Sequence, residues 1–204
     1  MSFLQELKNR RTIYALGRNV EASNDQIAEV IKEAIRQSPS AFNSQTTRAV
    51  ILFDEQVTNF WNTLVATDIE ATMKEQGVPE EAIAGTKEKL ASFGAAKGTV
   101  LLFEDQDVVK GLQEQFALYA DNFPVWSEQA SGISTVNAWT ALSAELGLGA
   151  NLQHYNPVID ASVAKAYDVP ASWKLRGQLN FGSIEAPAGD KEFMADEDRF
   201  KVFN

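Results

Sequence analysis

The chain is predicted to fold as a mixed α and β protein, on three observations. Helix-period apolar patterns recur along it, most clearly over 23–37, 54–65 and 131–146. Two runs, 49–53 (AVILF) and 99–103 (TVLLF), are apolar nearly throughout, as strands buried on both faces are. A third run, 173–181, alternates between apolar and polar residues, the period-two signature of a strand. This interleaving by itself fits a doubly wound sheet as well as an α+β arrangement. At 204 residues the chain suits a single domain, 1–204, in which 185–204 reads as a C-terminal extension.

The elements follow in order. Residues 2–9 form a short helix capped by Ser2, with Phe3, Leu4 and Leu7 on one face. Ser23-Asn24-Asp25-Gln26 is a capping box, with serine at the N-cap and glutamine at N3. The helix it starts runs to about Gln37, with Ile27, Val30, Ile31, Ala34 and Ile35 at core spacing. Pro39 ends it, because the residue before a proline is biased away from the αR region. After strand 49–53, Asp54 opens a helix whose Val57, Phe60, Trp61, Leu64 and Val65 form a broad core-facing stripe. Gly77-Val78-Pro79-Glu80-Glu81 breaks this pattern and restarts it, with proline in the first turn and two acids on the helix dipole.

Beyond strand 99–103, residues 108–119 read as helix and 123–126 (FPVW) as an irregular aromatic segment. That segment suits either core packing or the wall of a pocket for flat ligands. The next helix, 131–146, turns Ile133, Val136, Trp139 and Leu142 inward and ends on Gly147 as an αL cap. A short strand follows at 150–155, then a small helix at 160–167 that stops before Pro170. In 173–181, Leu175, Gly177, Leu179 and Phe181 share one face, and Lys174, Arg176, Gln178 and Asn180 the other. The tail holds Phe193, Met194, Phe200, Val202 and Phe203, too many large apolar groups for a free segment. It is expected to dock on its own domain or on a partner subunit.

Composition narrows the chemistry. There is no cysteine, which excludes disulfides, thiolate nucleophiles and cysteine metal sites. His154 is the only histidine, so a zinc site would need several carboxylates, and none is expected. A net charge of −10 argues against a nucleic-acid surface. No apolar run approaches the ~20 residues of a membrane span, and the first residues lack a signal-peptide pattern, so a cytoplasmic protein is expected.

Three polar stretches stand out against this background. The loop 38–48, SPSAFNSQTTR, lies between a helix and a strand and offers many neutral donors and acceptors with Arg48 as its one cation. Its composition is also that of an ordinary turn. Arg10 and Arg11, followed by Thr12 and Tyr14, are either solvated charge or forks for a phosphate and a carbonyl. Lys174 and Arg176 stand about 7 Å apart along one strand, a span for two anionic points of one ligand or a charged strand edge.

NRRTIY, SPSAFNSQ, LGLGANLQHY and WKLRG, in this order from Arg10 to Arg176, resemble the FMN-dependent nitroreductase family. The resemblance implies an α+β fold: a central, mainly antiparallel sheet surrounded by helices, with the C-terminal extension exchanged in a homodimer that holds FMN at its interface. It implies that Arg10, Arg11, Thr12 and Tyr14, with Lys174 and Arg176, bind FMN from one subunit. Pro39, Ser40, Asn43 and Gln45 would come from the other, and Gln153, His154 and Tyr155 would lie along the segment that approaches flavin N5. Phe42, Phe123 and Trp126 would contact a flat substrate. The mid-chain flavin contact is open between Lys89 and Lys97. The implied activity is FMN-dependent NAD(P)H oxidoreduction of nitroaromatics or quinones, by ping-pong hydride transfer through flavin N5 with no catalytic side chain. A flavin-binding redox sensor or FMN store is the alternative. Gln153-His154-Tyr155 departs from the glutamate-glycine pair of many members, and Thr46-Thr47-Arg48 from their proline and aromatic.

Overall fold

The apolar and alternating runs assemble into one antiparallel sheet. A computed structural model describes residues 2–204. Its centre is β5 (Trp173–Ile184), which pairs with β3 (Gly98–Asp105) and with β4 (Gly149–Gln153). β2 (Thr47–Phe53) lies outside β3, and the two-residue β1 (Leu16–Gly17) pairs with the end of β5. All these pairs are antiparallel; among the described residues the isolated bridge of Thr12 to Ala150 is the one parallel pairing. The doubly wound alternative needs parallel strands and is excluded. The fold is α+β.

The local rules place the helices as expected at most ends. α1 (Phe3–Asn9) starts at Ser2, whose hydroxyl accepts from the Gln5 N–H. α2 (Asn24–Arg36) opens with the complete Ser23–Gln26 capping box and buries Ile27 and Ile31. After β2 come α3 (Glu55–Asn59), a π-helical turn (Phe60–Val65) and α4 (Ala66–Glu75), then α5 (Glu80–Gly94) with Pro79 at its N-cap. The π turn carries Phe60, Trp61 and Val65 into the core. α6 (Gln106–Gln115) gives way to a 3-10 stretch (Ala117–Asn122). α8 (Asp160–Ala166) precedes β5, and the tail contains only the short α9 (Asp196–Arg199).

Two apolar clusters sandwich the sheet. One joins Trp61, Phe93, Leu101, Phe103 and Leu175; the other joins Ile27, Val100, Leu102, Leu142, Leu179 and Phe181. That Leu175 and Leu179 fall in different clusters is a correction to the simple alternation. Leu102 pairs with Gly177 and Phe103 with Leu175, so Arg176 is an extra, unpaired residue: a β-bulge.

A second correction concerns α7, which runs Phe123–Leu146 and therefore includes FPVW in its first turn. Pro124 is accommodated there because a first-turn N–H has no intrahelical acceptor to lose. The inward face of α7 is Ser127, Ala130, Ser131, Ser134, Thr135, Ala138 and Leu142, whereas Ile133 and Val136 are exposed. Small residues along the middle of the inner face, between the buried Phe123 and Leu142, let the helix lie close to the sheet. Gly147 ends it in the αL conformation, at φ 64°.

The apolar residues of the tail do not dock on this chain: Phe193, Met194, Val202 and Phe203 are all exposed, Phe203 at 91%. Phe3 and Leu4 of α1 are exposed as well. No helix among the described residues is long and apolar enough to cross a membrane.

Candidate functional site

The segment after α1 runs along β4, with the Ile13 N–H donating to the Ala150 carbonyl at 2.9 Å. This brings Arg10 and Thr12 beside His154, Gly177 and the bulged Arg176, all facing one side of α7. Together with Glu128, Ser131, Gly132, Thr135, Val136, Trp139 and Leu152 they line a cleft of about 580 Å³. That size lies within the range of small-molecule sites, about 300–1,000 Å³.

Each wall has a reason. The Arg10 guanidinium lies over the Trp139 ring, 4.6 Å from its centroid, which fixes a flexible cation at the rim. Arg176 donates from Nε to Glu104 at 2.6 Å and from Nη2 to Glu128. At Gly177 a Cβ would sit 3.2 Å from Leu152 Cδ1 and 3.6 Å from His154 Nε2, so glycine keeps the floor open. The polar lining comprises two guanidinium groups, the hydroxyls of Thr12, Ser131 and Thr135, and the Glu128 carboxylate, with glycines at 132 and 177. It suits an anionic ligand with a polar chain and a ring system.

The other sequence candidates lie elsewhere. Arg11 donates to the Gly189 carbonyl at 2.6 Å and, with Tyr14, lines a neighbouring cleft closed by residues 186–192. Lys174 is exposed opposite Glu104 and does not line the main cleft. Gln153 is buried, its amide donating to Asn151 Oδ1 at 2.9 Å. Tyr155 packs on Trp61 with 5.4 Å between ring centroids, and burial raises its pKa. Of the three-residue segment, then, His154 alone turns its side chain to the cleft.

Lys97 pairs with Asp54 at 2.8 Å and Lys89 lies over Phe93, 5.9 Å from the ring centroid; neither lines the cleft. Arg48 belongs to β2 rather than to the loop, and donates to Asp105 at 3.0 Å and to the Gln45 carbonyl at 2.7 Å.

The loop before β2 forms its own surface across α7. Ser40 and Gln45 line a small cleft with Ser38, Thr47 and Ser134, and Pro39 lines another with Trp126 and Ile133. The loop is strained: Phe42, Asn43 and Gln45 have φ of 57°, 50° and 49°. Such angles are uncommon outside glycine and persist where surroundings enforce them. Here Phe42 is held in a cluster of rings, 4.9 Å from Phe116, 5.3 Å from Phe123 and stacked 6.1 Å from Trp126. Phe42 is half exposed, while Phe123 is buried beneath it.

The cleft also depends on residues that sequence reasoning passed over. Glu104 ends the apolar run of β3 and is 1% exposed; a carboxylate at the end of a buried strand was the available signal. Ser131, Gly132 and Thr135 come from one helix face, signalled by small and hydroxylated residues at i, i+1 and i+4.

The sequence model of the Nitroreductase family matches residues 7–183. The chain belongs to the Nitroreductase family. Its likeness to solved members is close: it is 61% identical to nitroreductase CinD from Lactococcus lactis, with both chains fully covered and a TM-score of 0.90. CinD has been solved in complex with chloramphenicol, nicotinic acid and 4-nitrophenol. The HBN1 protein of Saccharomyces cerevisiae is 36% identical over 205 residues, covering 100% of this chain and 97% of HBN1. A protein from Exiguobacterium sibiricum, solved in complex with FMN, shares the fold at 13% identity, with a TM-score of 0.73 and 100% and 98% of the two chains covered. Family membership makes this chain a nitroreductase-type oxidoreductase.

Proposed function

We propose that the chain binds FMN in the α7 cleft and acts as an NAD(P)H oxidoreductase on nitroaromatics or quinones. The convergence of Arg10, Thr12 and Arg176 on one cleft carries this reading, in a chain of this family. FMN-bound structures of the same fold and the nitro compounds bound by CinD support it. When bound, FMN supplies hydride exchange at its N5 position, so no side chain need act as nucleophile.

The chain's own tasks are placement and exclusion of water. Arg10 and Arg176 meet the phosphate, which carries about −1.5 to −2 charge. Thr12, Ser131 and Thr135 offer hydroxyls to the sugar-alcohol chain, and Gly177 admits close backbone approach. Trp139 and Leu152 give the apolar wall on which a ring system rests.

Pro39, Ser40, Asn43 and Gln45, with Phe42 and Trp126 above them, complete the site from a second copy of the chain. Within one chain the loop opens onto different clefts from those of Arg10 and Arg176. Val125, Ile133 and Val136 are exposed along the same helix, and the tail's phenylalanines find no partner surface on their own chain. A homodimer that exchanges residues 185–204 covers all of these groups, and Lys174, Arg11 and Tyr14 then border the shared site.

Purified protein should show flavin absorption bands that bleach with NADH or NADPH without oxygen and return with a quinone or 4-nitrophenol. It should also sediment as a dimer. A colourless monomer that takes up no FMN would overturn the reading, and bands that resist bleaching would restrict it to flavin binding.

A further inference from the structure

Among the described residues, Glu104 has one oxygen engaged and one without a partner: Oε2 accepts from Arg176 Nε, and Oε1 is buried with no hydrogen bond. A charge this deep in a strand is retained only where a cation is held against it. A second carboxylate, Glu128 on α7, takes the same guanidinium at Nη2, but from the rim, with its side chain 57% exposed. The two acids therefore grip one arginine at different nitrogens and at different depths.

We infer that these carboxylates act in opposite senses on cofactor binding: Glu104 positions Arg176 for the FMN phosphate, and Glu128 competes with that phosphate for the same guanidinium. The inference rests on the placement of the phosphate at Arg176 proposed above. Glu104 holds the Nε edge from inside the strand pair, which aims the outer nitrogens into the cleft. Glu128 occupies one of those outer nitrogens, so a phosphate oxygen takes its place there, and the displaced carboxylate remains nearby as a like charge. Because Glu128 is exposed its effect is screened by salt, whereas that of the buried Glu104 is screened much less.

The opposite signs are the test. Glu104→Gln and Glu128→Gln each remove one negative charge beside Arg176, so simple attraction of an anion would have both strengthen binding. A general loss of structure would have both weaken it, and would weaken riboflavin as much as FMN. Riboflavin lacks only the phosphate, so the preference for FMN over riboflavin isolates this end of the site.

The experiment equilibrates full-length holoprotein with riboflavin as competitor, separates free from bound flavin, and quantifies FMN and riboflavin in each fraction after chromatography resolves them. Glu104→Gln should lower the FMN preference about 10-fold, and Glu128→Gln should raise it about 3-fold at low salt, with the gain fading as salt is added. Arg176→Ala should lower it at least as far as Glu104→Gln. An unchanged preference in Arg176→Ala would remove the phosphate from this arginine and overturn the inference with it. A normal response to Arg176→Ala, with both glutamine variants shifting the preference in the same direction, would overturn the inference alone. If Glu104→Gln does not fold, the absence of any gain in Glu128→Gln overturns it equally.

Discussion

β5 carries polar side chains toward both of its faces, and the two faces use them differently. Toward the Trp61 cluster, Asn151 and Asn180 are cross-strand partners, as are Gln153 and Gln178. Asn180 Nδ2 donates to Asn151 Oδ1 at 3.0 Å, its Oδ1 accepts from Trp61 Nε1 at 2.9 Å and Thr99 Oγ1 at 2.8 Å, and Asn151 donates to the Ile13 carbonyl at 2.8 Å. Gln178 Oε1 accepts from the Tyr155 N–H at 2.9 Å. All these amides are buried and all have partners. Toward α7, by contrast, Arg176 opens onto a cleft and Glu104 keeps an oxygen without a partner. A closed polar network specifies one structure, while an open one leaves capacity for a ligand.

The closed face should break first under mutation. Asn180→Leu removes one of the two donors to Asn151 Oδ1 and the acceptor that Trp61 and Thr99 share, and should cost about 2–4 kcal/mol, read as a lower denaturant midpoint at unchanged slope. A midpoint within error of the parent would show that the network is incidental to stability. On the open face, Arg10→Ala should weaken FMN binding about 10-fold, since a charge-assisted hydrogen bond contributes about 1.5–3 kcal/mol. Its unfolding midpoint should hardly move, because the cation–π contact with Trp139 lies at the rim. A large stability loss with intact FMN affinity would reverse the assignment of the two faces.

The smallest effect belongs to a carboxylate outside both faces. Glu70 sits on the surface between Lys74 and Lys87, whose hydrogen bonds and charges hold its pKa down to about 2 from 4.5. A depressed carboxylate stabilises the fold above its unfolded value, and that contribution is lost as pH falls from 4.5 toward about 2. Glu70→Gln should therefore lower Tm by no more than about 1 °C at neutral pH and match the parent near pH 2. A larger drop would show that an exposed triad rivals the buried network.

The parts of this division that local chemistry dictates were legible in the sequence. The capping box at Ser23, the αL stop at Gly147 and the buried strands all follow from residues a few positions apart. Arg10, Thr12, His154 and Arg176, drawn from three separate motifs, do meet in one cleft. The bulge was not legible, because an unpaired residue is defined only by the strand across from it. Alternation over 173–181 looked unbroken because Gly177 fits either face. Pro124 read as a break because a first-turn proline and a loop proline look alike without the hydrogen-bond pattern. The amide network was hidden for the same reason: Asn151 and Asn180 are 29 residues apart and have no common periodicity.

The bulge makes the cation of β5 a detachable insert. On either side of it, Lys174, Leu175, Gly177 and Gln178 face Glu104, Phe103, Leu102 and Leu101 in an unbroken count. Excising residue 176 would leave a strand of regular parity, with Leu175 still in one cluster and Leu179 still in the other. Position 176 therefore takes no place in the core's reading frame. The residue there can change without shifting the register of the strand's apolar residues, but the buried Glu104 that Arg176 holds would have to change with it, so the apolar packing of the sheet is independent of position 176 while its buried carboxylate is not.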